Sequence, residues 1–151
     1  LLGDIMKETG YFLSHLYASR ESILTSLLQF QYQLFFLEDT PLKNKMKKFL
    51  ERDYKHLQIL ARFLIKNNQH PFYADKLYGS VLYWNGFNVY YDTDIKTMLE
   101  VDITLKKKMI QNTEMVIYVV ESEEVKHFLR GILKEEYQTL EELTVLLEHC
   151  A

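Results

Sequence analysis

The 151 residues suffice for one domain with a real core, and 48% hydrophobic and 14% aromatic residues against only 5 Gly and 2 Pro describe a globular chain with few long loops. A net charge of −3 exerts no general pull toward nucleic acid or anionic membranes, and no apolar run approaches the roughly 18 residues of a membrane span. A single cysteine, Cys150, excludes an intramolecular disulfide and makes a reducing cytoplasm the expected compartment.

The start, Leu1-Leu-Gly-Asp, lacks the basic-then-apolar layout expected of a signal peptide, which leaves export open, and the opening segment runs from Leu1 to Ala18. It carries Phe12, Leu13, Leu16 and Tyr17 and is expected to pack across the helices downstream of it. From about Ser19 to Glu38 the helical period puts Ile23, Leu27, Phe30 and Leu34 on one stripe. Thr40 then reads as an N-cap with Pro41 at the first helical position of a second helix. That helix carries Leu42, Met46, Phe49, Leu57, Leu60 and Leu64 and stops before Pro71.

Between Pro71 and about Asp92 the period disappears into a Tyr-rich run, which reads as an aromatic-anchored loop in preference to a β-hairpin. A third helix from Thr93 or Asp94 runs past Val119, and Ser122 with Glu123 and Glu124 opens a fourth. Two short connections make two antiparallel helical pairs, joined by a long crossover between the second and third helices. The expected organisation is one all-α domain over 1–151, with 1–18 packed on a four-helix bundle over 19–151.

Charges interrupt the apolar stripes. On the second helix, Phe49, Asp53, His56, Leu60 and Phe63 step by three and four, so Asp53 and His56 point where core residues point. On the fourth, Phe128, Ile132, Glu135, Thr139 and Leu143 place Glu135 inward, with Gln138 one turn on. On the third, Leu99, Asp102, Lys106, Met109 and Thr113 place Lys106 inward at mid-helix. Carboxylate-x-x-His pairs from two helices, with one further Glu from each of the others, are how a bundle core holds two metals.

These segments resemble the ferritin-like proteins of the bacterioferritin, rubrerythrin and manganese-catalase kind, from about Tyr17 to Glu148. The family's first helix reads like Glu-Leu-x-Ala-Ile-x-Gln-Tyr, where this chain has Ile23-Leu-Thr-Ser-Leu-Leu-Gln-Phe30. Its second reads Glu-Met-x-His-x-x-x-Leu, here Asp53-Tyr-Lys-His-Leu-Gln-Ile-Leu60. Its third resembles Met-Leu-x-x-Asp-Leu-x-Leu-Glu, here Met98-Leu-Glu-Val-Asp-Ile-Thr-Leu-Lys106, and its fourth Ile-Leu-x-Asp-Glu-Glu-x-His, here Ile132-Leu-Lys-Glu-Glu-Tyr-Gln138 with one residue fewer.

The resemblance implies a ferritin-like four-helix bundle whose six ligand places hold Ile23, Asp53, His56, Lys106, Glu135 and Gln138. Asp53, His56 and Glu135 are then a vestigial metal set, and Ile23, Lys106 and Gln138 mark lost ligands. Four carboxylates in a bundle core are balanced by two divalent cations, whereas here Asp53 and Glu135 are balanced by Lys106 and a protonated His56 without any metal. Lys106 thus reads as a stand-in for the metal, unless its stem snorkels to water.

Two functions fit. One is a non-catalytic scaffold or association protein, expected to be a homodimer with no cofactor, no nucleic acid and no membrane partner. The other is an oxidoreductase or metal-handling protein using iron or manganese at a reduced site of Asp53, His56 and Glu135. His15, His70, His127 and His149 show no ligand spacing and are expected at the surface. The basic second and acidic fourth helices point to solvated faces or to complementary packing.

Overall fold

The computed structural model describes residues 2–150. Five helices carry the fold: α1 (Leu2–Ala18), α2 (Ile23–Leu34), α3 (Pro41–Lys66), α4 (Ile95–Val119) and α5 (Glu123–Glu148). Side-chain oxygens set the starts of four of them. Ser22, Thr40, Asp94 and Ser122 accept from the backbone N–H three residues on, which satisfies an orphan donor at each N-terminus. α3 ends where Asn68 takes a left-handed φ of 58°, a conformation Asn tolerates, three residues before Pro71.

α2 and α3 form one antiparallel pair and α4 and α5 the other. The 12 residues of α2 rise about 18 Å and the 26 of α3 about 39 Å, so α2 covers only part of its partner. α1 covers the remainder: Leu13, Leu16 and Tyr17 join Ile23, Leu60, Leu64, Met109, Val116, Val125 and Leu129 in one apolar cluster. A second cluster gathers Phe30, Leu34, Met46, Phe49, Met98, Leu99 and Leu143 toward the other end. On each bundle helix the residues that fall between the two clusters are polar and buried: Ser26, Asp53 and His56, Lys106, Glu136 and Thr139. A polar layer therefore crosses the bundle between two apolar ones.

The crossover from residue 67 to 94 is the expected loop, closed by a two-residue antiparallel ladder of β1 (Ala74–Asp75) and β2 (Leu82–Tyr83). It lies along α2. Trp84 Nε1 donates to Thr25 Oγ1 at 2.8 Å, the Gln29 amide exchanges bonds with the Tyr90 backbone at 2.8 and 2.9 Å, and Tyr91 meets Tyr32 edge-on. The α3 and α5 charges are partly complementary, since Lys45, Lys48 and Arg52 gather on Glu142 and Lys66 pairs with Glu124. Among the described residues, no helix is long and apolar enough to cross a membrane.

His15 is not at the surface. It is buried where α1 meets β1, with Nδ1 2.9 Å from Asp75 Oδ2 and its ring edge-on to Tyr78. Nothing in the α1 pattern announced Asp75, which lies in the aperiodic crossover. His70, His127 and His149 are exposed, as expected.

Candidate functional site

Lys106 occupies the middle of the polar layer. Its side chain is 1% exposed, too enclosed for snorkelling. Nζ donates to Asp53 Oδ1 at 2.7 Å and lies 2.8 Å from Glu136 Oε2, the second contact being an ion pair off the hydrogen-bond direction. The ammonium also sits 5.5 Å from the centre of the Phe30 ring. The other Asp53 oxygen, Oδ2, accepts from Ser26 Oγ at 2.5 Å. The other Glu136 oxygen, Oε1, faces His56 Nδ1 at 3.1 Å, and His56 Nε2 faces Glu135 Oε2 at 2.6 Å.

The two His56 contacts fix its charge. Both ring nitrogens meet carboxylate oxygens, and only an imidazolium donates from both. Burial works against the charged ring, but the hydrogen bond and charge of Glu136, with help from Glu135 and Asp53, raise its pKa above the ordinary 6.5. Lys106 follows the same logic, since burial opposes its charge and the two carboxylates overcome that and raise its pKa further. Burial lifts Asp53 to about 6 in spite of Lys106, while for Glu136 the charges of Lys106 and His56 outweigh burial and bring it down to about 2. Two buried carboxylates thus meet two buried cations, so the layer is close to neutral.

Asp102 is inward too, one turn before Lys106. It accepts from Gln33 Nε2 at 2.8 Å, its Oδ2 has no partner, and burial raises its pKa well above the ordinary carboxylate range. The structure brings Asp53, His56 and Lys106 together as expected, and it corrects the fourth-helix pair. Glu136, 2% exposed, faces the layer, while the Glu135 side chain is 46% exposed and reaches only the outer nitrogen of His56. The residue three beyond Glu136 is Thr139, buried and accepting from Arg52 Nη1 at 3.0 Å, whereas Gln138 is exposed.

On α2 the residue that touches Asp53 is Ser26, one turn beyond Ile23, a contact that the helical period of α2 did not reveal. Ile23 borders a cavity of about 20 Å³ that Glu136, Met109 and Thr113 also line. The phase of α5 was legible further back. Val125, Leu129, Ile132, Glu136, Thr139 and Leu143 step by four, three, four, three and four from the Ser122 cap, while the Phe128 series shares Ile132, Thr139 and Leu143 with it. Phe128 is half-buried and stacks on Phe63.

One oxygen or nitrogen from each of Asp53, His56 and Glu136 lies within 4.8 Å of the others, so these three residues could hold one metal ion. They do not fit a two-metal centre. Ser26 and Lys106, which α2 and α4 bring against Asp53, carry no carboxylate, Thr139 accepts from a guanidinium, and the Lys106 ammonium lies between Asp53 and Glu136.

No protein-family model matches the sequence, and no curated protein matches it. Solved structures do. The manganese catalase KatB from Anabaena superposes with a TM-score of 0.86 at 16% identity, covering 95% of this chain and 72% of its own. The bacterioferritin of Desulfovibrio desulfuricans, described with a diiron site, superposes with a TM-score of 0.82 at 15% identity, covering 99% of this chain and 83% of its own. With two antiparallel helical pairs, a long crossover along α2 and these neighbours, the chain has the fold of a ferritin-like four-helix bundle.

Proposed function

We propose that this protein is a non-catalytic ferritin-like scaffold in which Lys106 takes the electrostatic place of a metal. The observation that carries the reading is the Lys106 ammonium, 2.7 Å from Asp53 and 2.8 Å from Glu136. A divalent ion bound by the same two carboxylates would share that space with it. At ~4 Å and an effective dielectric of about 20, two unit charges interact by roughly 4 kcal/mol, so an ammonium beside a +2 ion is disfavoured by about twice that.

The test is metal analysis of protein purified without added metal, followed by titration with Fe(II) and Mn(II). Iron and manganese far below one per chain, with no saturable uptake, is the expected result. One ion per chain, lost on changing Asp53, His56 or Glu136, would overturn the reading. It would support a second one, a mononuclear metal-handling or redox protein, which the proximity of those three ligand atoms favours.

The association expected of a scaffold has a surface to use. Phe35, Phe36, Tyr83, Phe87, Tyr90 and Tyr91 are each more than half exposed along the crossover and the end of α2, and residues 77–91 contain no charge. Their exposed area is on the order of 800 Å², about one side of a standard interface. The uncharged run 77–91 can meet a second copy of itself without like-charge repulsion, which supports a homodimer.

A further inference from the structure

We infer that Lys106 and Asp53 form a covalent amide cross-link inside the bundle, joining α3 to α4, with Glu136 and Ser26 as the catalytic residues. The inference rests on the proposed function in needing Lys106 lodged between the two carboxylates, and the linked chain carries a neutral amide where the unlinked chain carries the ammonium. A lysine amine and a carboxyl group condense when they are held in contact, kept from bulk water and served by a group that moves protons between them. Contact and burial are met, and a carboxylate lies within reach of the nitrogen. Lys106 Nζ is 2.7 Å from Asp53 Oδ1, and both side chains are at most 2% exposed. Glu136 Oε2 lies 2.8 Å from the same nitrogen.

The step balances without an oxidant or an external reagent. Lys106 gives one proton to the Asp53 carboxylate, leaving a neutral amine beside a neutral acid, and the nitrogen attacks Asp53 Cγ. A C–N bond forms, and charge gathers on Oδ2, where Ser26 Oγ donates from 2.5 Å. Glu136 takes a second proton from the nitrogen and passes it to Oδ1 as the C–Oδ1 bond breaks, so that Oδ1 leaves as water. One ammonium and one carboxylate become one amide and one water, and Glu136 ends as it began.

A cavity of about 20 Å³ that Glu136 and Thr113 line, with Asp53 and Lys106 outside its lining, is of a size to hold one water, since about 10–15 Å³ suffices. His56 keeps its bond to Glu136 throughout, holding the proton carrier in place. The product replaces a buried ion pair with a neutral amide, which removes the desolvation cost of both charges.

The experiment is intact mass spectrometry of the denatured wild-type protein, fresh and after prolonged incubation, with tryptic mapping. The expected result is a mass below that calculated from the sequence by one water, with fragment 53–55 joined to fragment 97–107 through an uncleaved Lys106. Asp53→Ala and Lys106→Met should restore the calculated mass. Glu136→Gln, which keeps the shape of the side chain, should accumulate unlinked chain even where the other two variants fold poorly. Ser26→Ala should slow linkage by about 100-fold or more, as loss of an oxyanion donor does. An unchanged wild-type mass with no joined fragments after incubation overturns the cross-link and leaves the metal-replacement reading to its own metal titration. A mass deficit mapping to other residues also overturns it.

Discussion

Lys106 is the residue on which the polar layer turns. Removing one member of a buried charge set leaves its partners unpaired, and such a loss typically costs about 3–5 kcal/mol. Lys106→Met keeps the bulk and removes the charge, so urea melts at neutral pH should show a loss of that size relative to wild-type chain of unlinked mass. At an exposed lysine the change would stay within about 0.5 kcal/mol. The lost stability should return in part as pH falls, because the orphaned Asp53 and Glu136 then take up protons in the folded state. A neutral Lys106→Met would remove the electrostatic account of the layer.

His56 gives a pH prediction of definite sign. Its folded pKa is raised above 6.5, so its contribution is fully present below that value and is lost as pH rises through the folded one. Glu136, lowered to about 2, acts in the opposite sense. Its contribution is present above its ordinary 4.5 and is lost as pH falls toward about 2. The stability difference between wild type and His56→Gln should therefore be largest between about pH 4.5 and 6.5 and shrink as pH rises through the raised pKa of His56. Chemical denaturation across that range measures it, and a difference that grows with pH would contradict a charged His56.

At the scale of elements, two helical glycines separate packing from propensity. A Cβ on Gly10 of α1 would meet Gln69 Cγ at 2.3 Å, close to that side chain's root, where it has little freedom to move aside. Gly10→Ala should lose about 1–3 kcal/mol through overpacking of the α1 contact at the end of α3. Gly131 of α5 is exposed and has open space around its Cβ position. Gly131→Ala should gain about 0.5–1 kcal/mol from helix propensity alone. Equilibrium urea unfolding of both variants checks the pair, and equal effects at the two sites would refute the close approach of α1.

For the whole molecule, the prediction concerns association. If the aromatic face of the crossover meets a second copy, sedimentation at micromolar concentration should give a dimer. Phe87→Glu, a change at a side chain 95% exposed, should give monomer with unchanged helicity, because it places like charges opposite each other across a twofold axis. A wild-type monomer, or a dimer indifferent to Phe87→Glu, would remove this face as the interface.

What the sequence determined by itself was whatever local chemistry controls. Helix starts at Thr40-Pro41 and Ser122, the stop before Pro71, the loop character of the crossover and the inward phase of Asp53, His56 and Lys106 all derive from caps, breakers and three-four spacing within single helices. The fold class came from two short connections and one long one. Which of two adjacent glutamates faces Lys106 was only half-legible, because the Phe128 and Leu129 series overlap at Ile132, Thr139 and Leu143; the spacing from the Ser122 cap favours Glu136, and packing against α4 seats it in the layer. The tertiary structure alone decided that Ser26 and not Ile23 meets Asp53, and that His15 finds Asp75. These contacts join residues 27 and 60 positions apart, and no local period encodes which side chains meet across such distances.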